Sequence, residues 1–234
     1  MLGSLLEGTR RSDIEVTLYG NDDAETIAGW FDGHGVELAR GSLPSGGPES
    51  FVVIERDGEF AGALGVSELA WLLEPPIVRP TDREGISEGY RALFDALDDT
   101  VFSAMTRREL LAVSREVEDR AYRVGTGTLR VGFQTPAAFD AQLEGYRRLA
   151  ADTDLEIHVY SVDPAAESRS NTEGITLHRG NETIDRYWVL AFDGGDDETQ
   201  ACGLLAQDRV DGYSGFWTND GAIVTKIAAE LTTI

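Results

Sequence analysis

An α/β fold with mixed β-sheets flanked by helices follows from three features of this sequence. A helix, a tight stop and a strand fill Met105 to Gln134; further helices alternate with strands on either side; and hairpin signals stand beside the helical crossovers. In the central stretch, Thr106 with Glu109 three residues on is a capping box, and Met105 with Leu110 can form a hydrophobic staple. Leu110, Val113, Val117, Ala121 and Val124 recur at helical spacing and turn one face to a core. The opposite face is charged, with Glu116/Arg120 and Asp119/Arg123 spaced i,i+4, acid first. Gly125 ends the helix, and Leu129, Val131 and Phe133 alternate with Arg130, Gly132 and Gln134 as a strand.

From the start of the chain, Leu2, Leu5 and Leu6 predict a short helix ending near Gly8, and Ile14, Val16 and Leu18 a first strand. Asn21 and Asp22 sit where a cap belongs, before a helix that buries Ile27, Trp30 and Phe31 and stops at Gly33 and Gly35. Val36 to Ala39 is a second strand. After the Gly-, Ser- and Pro-rich connection from Gly41 to Ser50, Phe51 to Glu55 and Phe60 to Val66 pair across Asp57-Gly58, a strong hairpin signal. Ser67 caps a short helix carrying Leu69, Leu72 and Leu73. Three prolines and several charges then break all periodicity between Glu74 and Glu88, the best linker candidate, and a helix with Tyr90, Leu93, Phe94 and Leu97 follows.

Beyond the central strand, Thr135-Pro136 is a cap with proline at the first helical position, opening a helix that buries Phe139, Leu143, Tyr146 and Leu149. Leu155, Ile157 and Val159 form the next strand, parallel to the central one because a helix joins them. Asp163 to Glu173 is a polar loop, and Ile175 with Leu177 a weak edge strand. Tyr187 to Phe192 is apolar on both faces and belongs in the middle of a sheet. Ala201 to Ala206 and Tyr213 to Trp217 are strands, and Ile223, Ile227, Ala228 and Leu231 mark a closing helix.

The two halves, 1–98 and 99–234, repeat an order of elements that fits an internal duplication. Ile14, Val16 and Leu18 match Leu129, Val131 and Phe133; Phe51 to Val53 match Trp188 to Leu190; and Ala61 to Leu64 match Ala201 to Leu204, given three extra residues, Asp196 to Glu198, in the turn.

Composition narrows the partners. The net charge of -22 comes from 42 acids spread along the chain against 20 bases, and Lys226 is the sole lysine. Adaptation to high salt explains this pattern better than a basic partner does, since salt screens the self-repulsion. Nucleic-acid phosphates are excluded as natural partners on the same ground. The single cysteine, Cys202, excludes an internal disulfide framework and any multi-cysteine metal site. No leader-like segment and no apolar run near the ~20 residues of a membrane span occurs, which predicts a cytoplasmic protein with no membrane partner.

Candidate sites are few. Gly194-Gly195-Asp196-Asp197-Glu198 departs from a cyclase signature at its fourth and fifth positions and reads as a solvated hairpin turn; it also lacks the alternation of a calcium loop. Gly125-Thr126-Gly127 precedes a strand, which is the wrong context for a phosphate loop. Asn181-Glu182-Thr183 matches a glycosylation triplet without meaning in the cytoplasm. His34, His158 and His178 have no metal-ligand spacing, so neither metal, cofactor nor catalytic set is assigned. The remaining cluster pairs aromatic and polar residues: Trp188, Phe192 and Trp217 with Arg120, Arg123, Arg130 and Gln134, and small Cys202 leaving room beside the rings. Ordinary core packing with arginines in salt bridges is the alternative reading of the same residues.

The run Ser114 to Gln134, SREVEDRAYRVGTGTLRVGFQ, together with Trp188 to Asp193, Gln200 to Asp208 and Gly215 to Asp220, resembles the DICT sensory domain. That family is named for diguanylate cyclases and two-component proteins and also occurs as free-standing chains in haloarchaea. The resemblance covers about residues 100 to 232, and residues 1 to 98 are similar to the N-terminal half of the free-standing haloarchaeal members. It implies a signal-receiving module; our leading expectation is a non-catalytic one that takes a small-molecule signal or a signalling protein, with a homodimer as a further candidate partnership. It carries no catalytic residues over. A small hydrolase or transferase and an oligomerisation scaffold are the alternatives.

Overall fold

The computed structural model describes residues 2–8, 14–20, 24–33, 36–45, 47–67, 69, 95, 97–98, 101–161, 172–180, 183–210 and 212–233. The Asn21/Asp22 cap, the side chain of Trp30, His34, Leu72 and Leu73, the 74–88 linker, Tyr90 to Phe94, most of the 163–173 loop and Asn181-Glu182 lie outside them.

The fold is α/β, with two mixed sheets and six helices among the described residues. Helix α1 (Leu2–Gly8) precedes strand β1 (Ile14–Tyr19), α2 (Ala24–Gly33), β2 (Leu38–Gly41), β3 (Phe51–Arg56) and β4 (Glu59–Gly65). These four strands form one sheet in the order β2-β1-β3-β4, in which only β1 and β2 are parallel. The second strand starts later than its apolar pattern predicts because Val36 closes the preceding helix, its N–H donating to Phe31 O at 2.9 Å. Asp57 and Gly58 both take positive φ, 51° and 78°, as a two-residue hairpin of matching twist demands.

Strand β5 (Val101–Met105) leads into α3 (Arg107–Val124), β6 (Thr126–Phe133), α4 (Pro136–Asp140), α5 (Leu143–Asp152), β7 (Asp154–Ser161) and β8 (Ile175–Arg179). Then come β9 (Tyr187–Phe192), β10 (Cys202–Arg209), β11 (Gly212–Thr218) and α6 (Gly221–Thr232). The second sheet has seven strands in the order β5-β11-β10-β9-β6-β7-β8, with β6, β7 and β8 parallel and the other neighbours antiparallel. Tyr187 to Phe192 is indeed an interior strand. Strand β5 is an addition to the sequence reading: five residues of ambiguous alternation gave no period to detect, and the edge of β11 supplies its partner.

Side-chain alternation divides the sheet's two faces. On one face, Leu129, Val131, Ile157, Val159, Leu190, Phe192, Cys202 and Leu204 pack against α3 and the Phe139, Tyr146 and Leu149 side chains of α4 and α5. On the other, Val189, Ala191, Leu205 and Phe216 meet Val224, Ile227 and Leu231 of α6 and Leu2 of α1. Val224 is more deeply placed on α6 than the predicted Ile223, and Asp220 caps that helix, accepting from Ala222 N at 2.7 Å and Ile223 N at 3.3 Å.

Helix α3 starts and stops where its residues dictate. Thr106 Oγ1 accepts from Glu109 N at 3.3 Å while Glu109 Oε2 accepts from Thr106 N at 2.7 Å, the reciprocal box. Gly125 ends the helix at φ 75°, and its N–H donates to Ala121 O. Thr106→Ala is expected to lower stability by about 1 kcal/mol, the usual worth of an N-cap. Urea unfolding measures it, and an unchanged midpoint would mean the box is ornamental. No described helix is long and apolar enough to cross a membrane.

Candidate functional site

The apolar stripe of α3 is buried as its spacing predicts, but the charged side of the helix is buried too. Arg115, Glu116, Glu118 and Arg120 are all within the protein. Two flanks cover it. Toward α5, Arg115 donates to Glu118 and to Gln142, and Tyr146 OH donates to the other oxygen of Glu118. Toward the end of β11, Arg120 Nη1 donates to Asn219 Oδ1 at 2.6 Å, while its Nη2 stands 3.6 Å from Glu116 and 3.4 Å from Asp95. Arg123 pairs with Asp119 and reaches Glu116 at 3.4 Å.

The first flank encloses a cavity of about 40 Å³, room for a few water-sized groups. Its floor is Val131, Phe133 and Leu190 of the sheet, with Tyr146 edge-on to Phe133 at 5.8 Å. Its rim is Trp188, whose ring meets Tyr213 edge-on at 5.9 Å and carries the Arg107 guanidinium 5.6 Å from its centroid. Two buried N–H donors at this cavity, Arg115 Nε and Gln134 Nε2, have no hydrogen-bond partner among the described residues. Buried donors without acceptors are rare because each costs free energy, so an acceptor entering the cavity would be favoured there.

The electrostatics fix the protonation of the wall. Burial opposes the Arg115 charge, but the Glu118 carboxylate more than offsets it and raises its pKa above the ordinary value. Burial, then Glu118, pushes the Tyr146 phenol well above the usual range, so it remains a donor. Arginine and tyrosine therefore both present hydrogens, and Glu118 absorbs them from inside.

Of the residues expected to converge, the cavity gathers Gln134 and Trp188. Phe192, Cys202 and Trp217 share the sheet face with Trp188 but are packed in the core, Trp217 stacking on Phe102 at 5.9 Å. Arg120 and Arg123 belong to the second flank. Arg130 projects from the opposite face of β6, among the histidines of β7 and β8. Arg115, Glu118, Gln142 and Tyr146 were missed as a site: Arg115 and Glu118 offered an i,i+3 signal, but their partners lie 27 and 28 residues away.

Cys202 is buried, and burial raises its thiol to about 12 despite the neighbouring Arg120. A thiol so held is no nucleophile near neutrality. It also lies across the sheet from His158 and His178, so it forms no Cys–His pair with either. In the 193–201 turn, Asp193 Oδ1 accepts from Thr128 N at 2.8 Å and Gly195 N at 3.0 Å, and Asp197 Oδ1 accepts from Thr199 N at 3.0 Å. These acids shape their own loop.

Comparison with known proteins adds a family. The model of the DICT family, a sensory domain in diguanylate cyclases and two-component systems, matches residues 91–209, just over half of the chain. No curated protein matches. Among solved structures, a polyphosphate kinase from Porphyromonas gingivalis aligns with 99% of this chain at 11% identity and a TM-score of 0.36. The aligned part is 47% of the kinase, so the chain spans about half that length.

Proposed function

Because the chain belongs to the DICT family of sensory domains, we propose that it is a non-catalytic signal-receiving module whose ligand enters the cavity between α3, α5 and Trp188. The observation that carries this reading is the pair of buried donors, Arg115 Nε and Gln134 Nε2, left without a partner among the described residues beside a half-buried indole. A small molecule with a carbonyl or carboxylate end group would satisfy those donors and lay an apolar or planar part against Trp188. Occupancy would then be felt by α3, through Arg115 and Glu118, and the helix would pass it to a partner protein in a cytoplasmic signalling pathway. With a net charge of -22, that partner is not a nucleic acid.

The test is native mass spectrometry of the chain purified from its own cells. Wild type is expected to retain a small-molecule mass, and Trp188→Phe and Gln134→Leu are expected to lose it while melting close to wild type. Those losses of stability should stay well below the about 3–5 kcal/mol of a Trp→Ala truncation. Retention unchanged in both variants, or no retained mass in wild type, would overturn the pocket and favour plain core packing.

A further inference from the structure

The face of the larger sheet turned away from α3 carries a second polar cluster, on strands β6 to β8. Register assembles it. Arg130 pairs with His158, which pairs with Thr176, and one step along Tyr160 pairs with His178. Since Leu129, Val131, Ile157 and Val159 point into the α3 core, Arg130, His158 and Tyr160 emerge on the reverse side. His158 Nδ1 and His178 Nε2 stand 2.9 Å apart with their rings stacked at 5.1 Å, and Tyr160 stacks on His178 at 4.5 Å. Three rings thus form a wall beside one guanidinium.

The charge pattern here differs from that along α3. Among 42 acids and 20 bases, the arginines along α3 at 115, 120 and 123 each meet a carboxylate. Among the described residues Arg130 has no ion pair and its buried Nε has no hydrogen-bond partner. Glu156, 77% exposed, stands 4.0 Å from His158 Nε2. Burial lowers both histidine pKa values, and the Arg130 charge lowers them further, with His178 adding to the effect at His158 and Glu156 opposing it there. The rings therefore sit beside the Arg130 charge, which Glu156 opposes at His158 and no described acid opposes at His178.

We propose that Arg130, His158 and His178 form an anion site that takes one phosphate or carboxylate group of a small molecule, separate from the cavity at Trp188. A guanidinium offers paired N–H donors matched to the oxygens of either group, and an imidazole that gains a proton supplies a second charge-assisted donor. A polyanion is disfavoured, because beyond these residues it would meet a protein of net charge -22.

The test is an NMR titration of the three histidine rings in the full chain with inorganic phosphate and, separately, acetate, at ionic strength held constant with potassium chloride. An anion beside an imidazole favours its protonated form, so His158 and His178 are expected to titrate at higher pH with the anion than without. Arg130→Gln, verified as folded by melting, should abolish the displacement and weaken binding about tenfold or more. Arg130→Lys should retain part of it. A response to phosphate alone assigns the phosphate group, and a response to both admits carboxylates. No upward displacement in wild type means no anion binds beside the rings, an equal one in Arg130→Gln means an adventitious ion only, and either overturns the site. Should Arg130→Gln not fold, His178→Gln decides in its place: unchanged phosphate binding there is equally fatal.

Discussion

Glu118→Ala is expected to destabilise the protein by about 3–5 kcal/mol, the cost of removing one partner from a buried ion pair. Two groups end on that carboxylate, the Arg115 guanidinium and the Tyr146 hydroxyl, and all three residues are buried. Removing it leaves Arg115 with Gln142 as its remaining acceptor and Tyr146 with none from Glu118. Two controls separate charge from shape. Glu118→Gln keeps an acceptor of the same size and should cost less. The triple replacement Arg115→Met, Glu118→Leu, Tyr146→Phe removes the network whole and should restore most of the loss, because no buried charge or hydroxyl is left stranded. Urea unfolding at fixed salt reads all three. A loss for Glu118→Ala below about 1 kcal/mol, the scale of an exposed pair, would show that water reaches this network freely.

What could be read from sequence alone was local chemistry. Thr106 with Glu109, Gly125, Thr135-Pro136 and Asp57-Gly58 fix helix ends and a hairpin through contacts within four residues, and each stands where its residues placed it. The charged side of α3 was legible as ion pairs but not as buried ones. Burial depends on what arrives from afar: Gln142 and Tyr146 on one flank, Asp95 and Asn219 on the other. The candidate site suffered most from this. Arg130 and Trp188 looked alike as members of an arginine and aromatic set, yet the pleat sends them to opposite faces, and only register reveals it.

The order β2-β1-β3-β4 recurs within the larger sheet as β7-β6-β9-β10, with one parallel and two antiparallel pairings in the same places. This supports our proposal that the halves descend from one unit. The equivalence differs from the sequence alignment in detail. With Val16 set on Val131, their partners Ile54 and Leu190 coincide, which puts Val52 rather than Phe51 opposite Trp188. A one-residue offset is invisible in an apolar run yet exchanges the two faces. On this alignment the half that lacks a counterpart of the Trp188 indole has a buried valine at its place, so the cavity belongs to the C-terminal unit.

Raising potassium chloride from about 10 mM to about 1 M is expected to raise the melting temperature steadily and then level off, because we propose that the chain is adapted to high salt. Forty-two acids against 20 bases leave a net charge of -22 with a single lysine. Two like charges about 7 Å apart in water repel by roughly 0.6 kcal/mol. Summed over so many uncompensated carboxylates, the repulsion reaches several kcal/mol, comparable with the about 5–15 kcal/mol by which a domain is stable at all. The screening length falls from about 30 Å at 10 mM to about 3 Å at 1 M, so the long-range part of this repulsion vanishes across the range. Unfolding separates the charges and already relieves much of it, which is why screening favours the folded state. The shape of the curve identifies the cause. Screening saturates and depends little on which monovalent salt is used, whereas strengthened apolar burial continues to rise and follows the identity of the anion. Potassium chloride, sodium chloride and sodium bromide should therefore give superimposable curves. A melting temperature that falls or stays flat with salt would sink the adaptation, and curves that diverge by anion would assign the gain to the core instead of the surface.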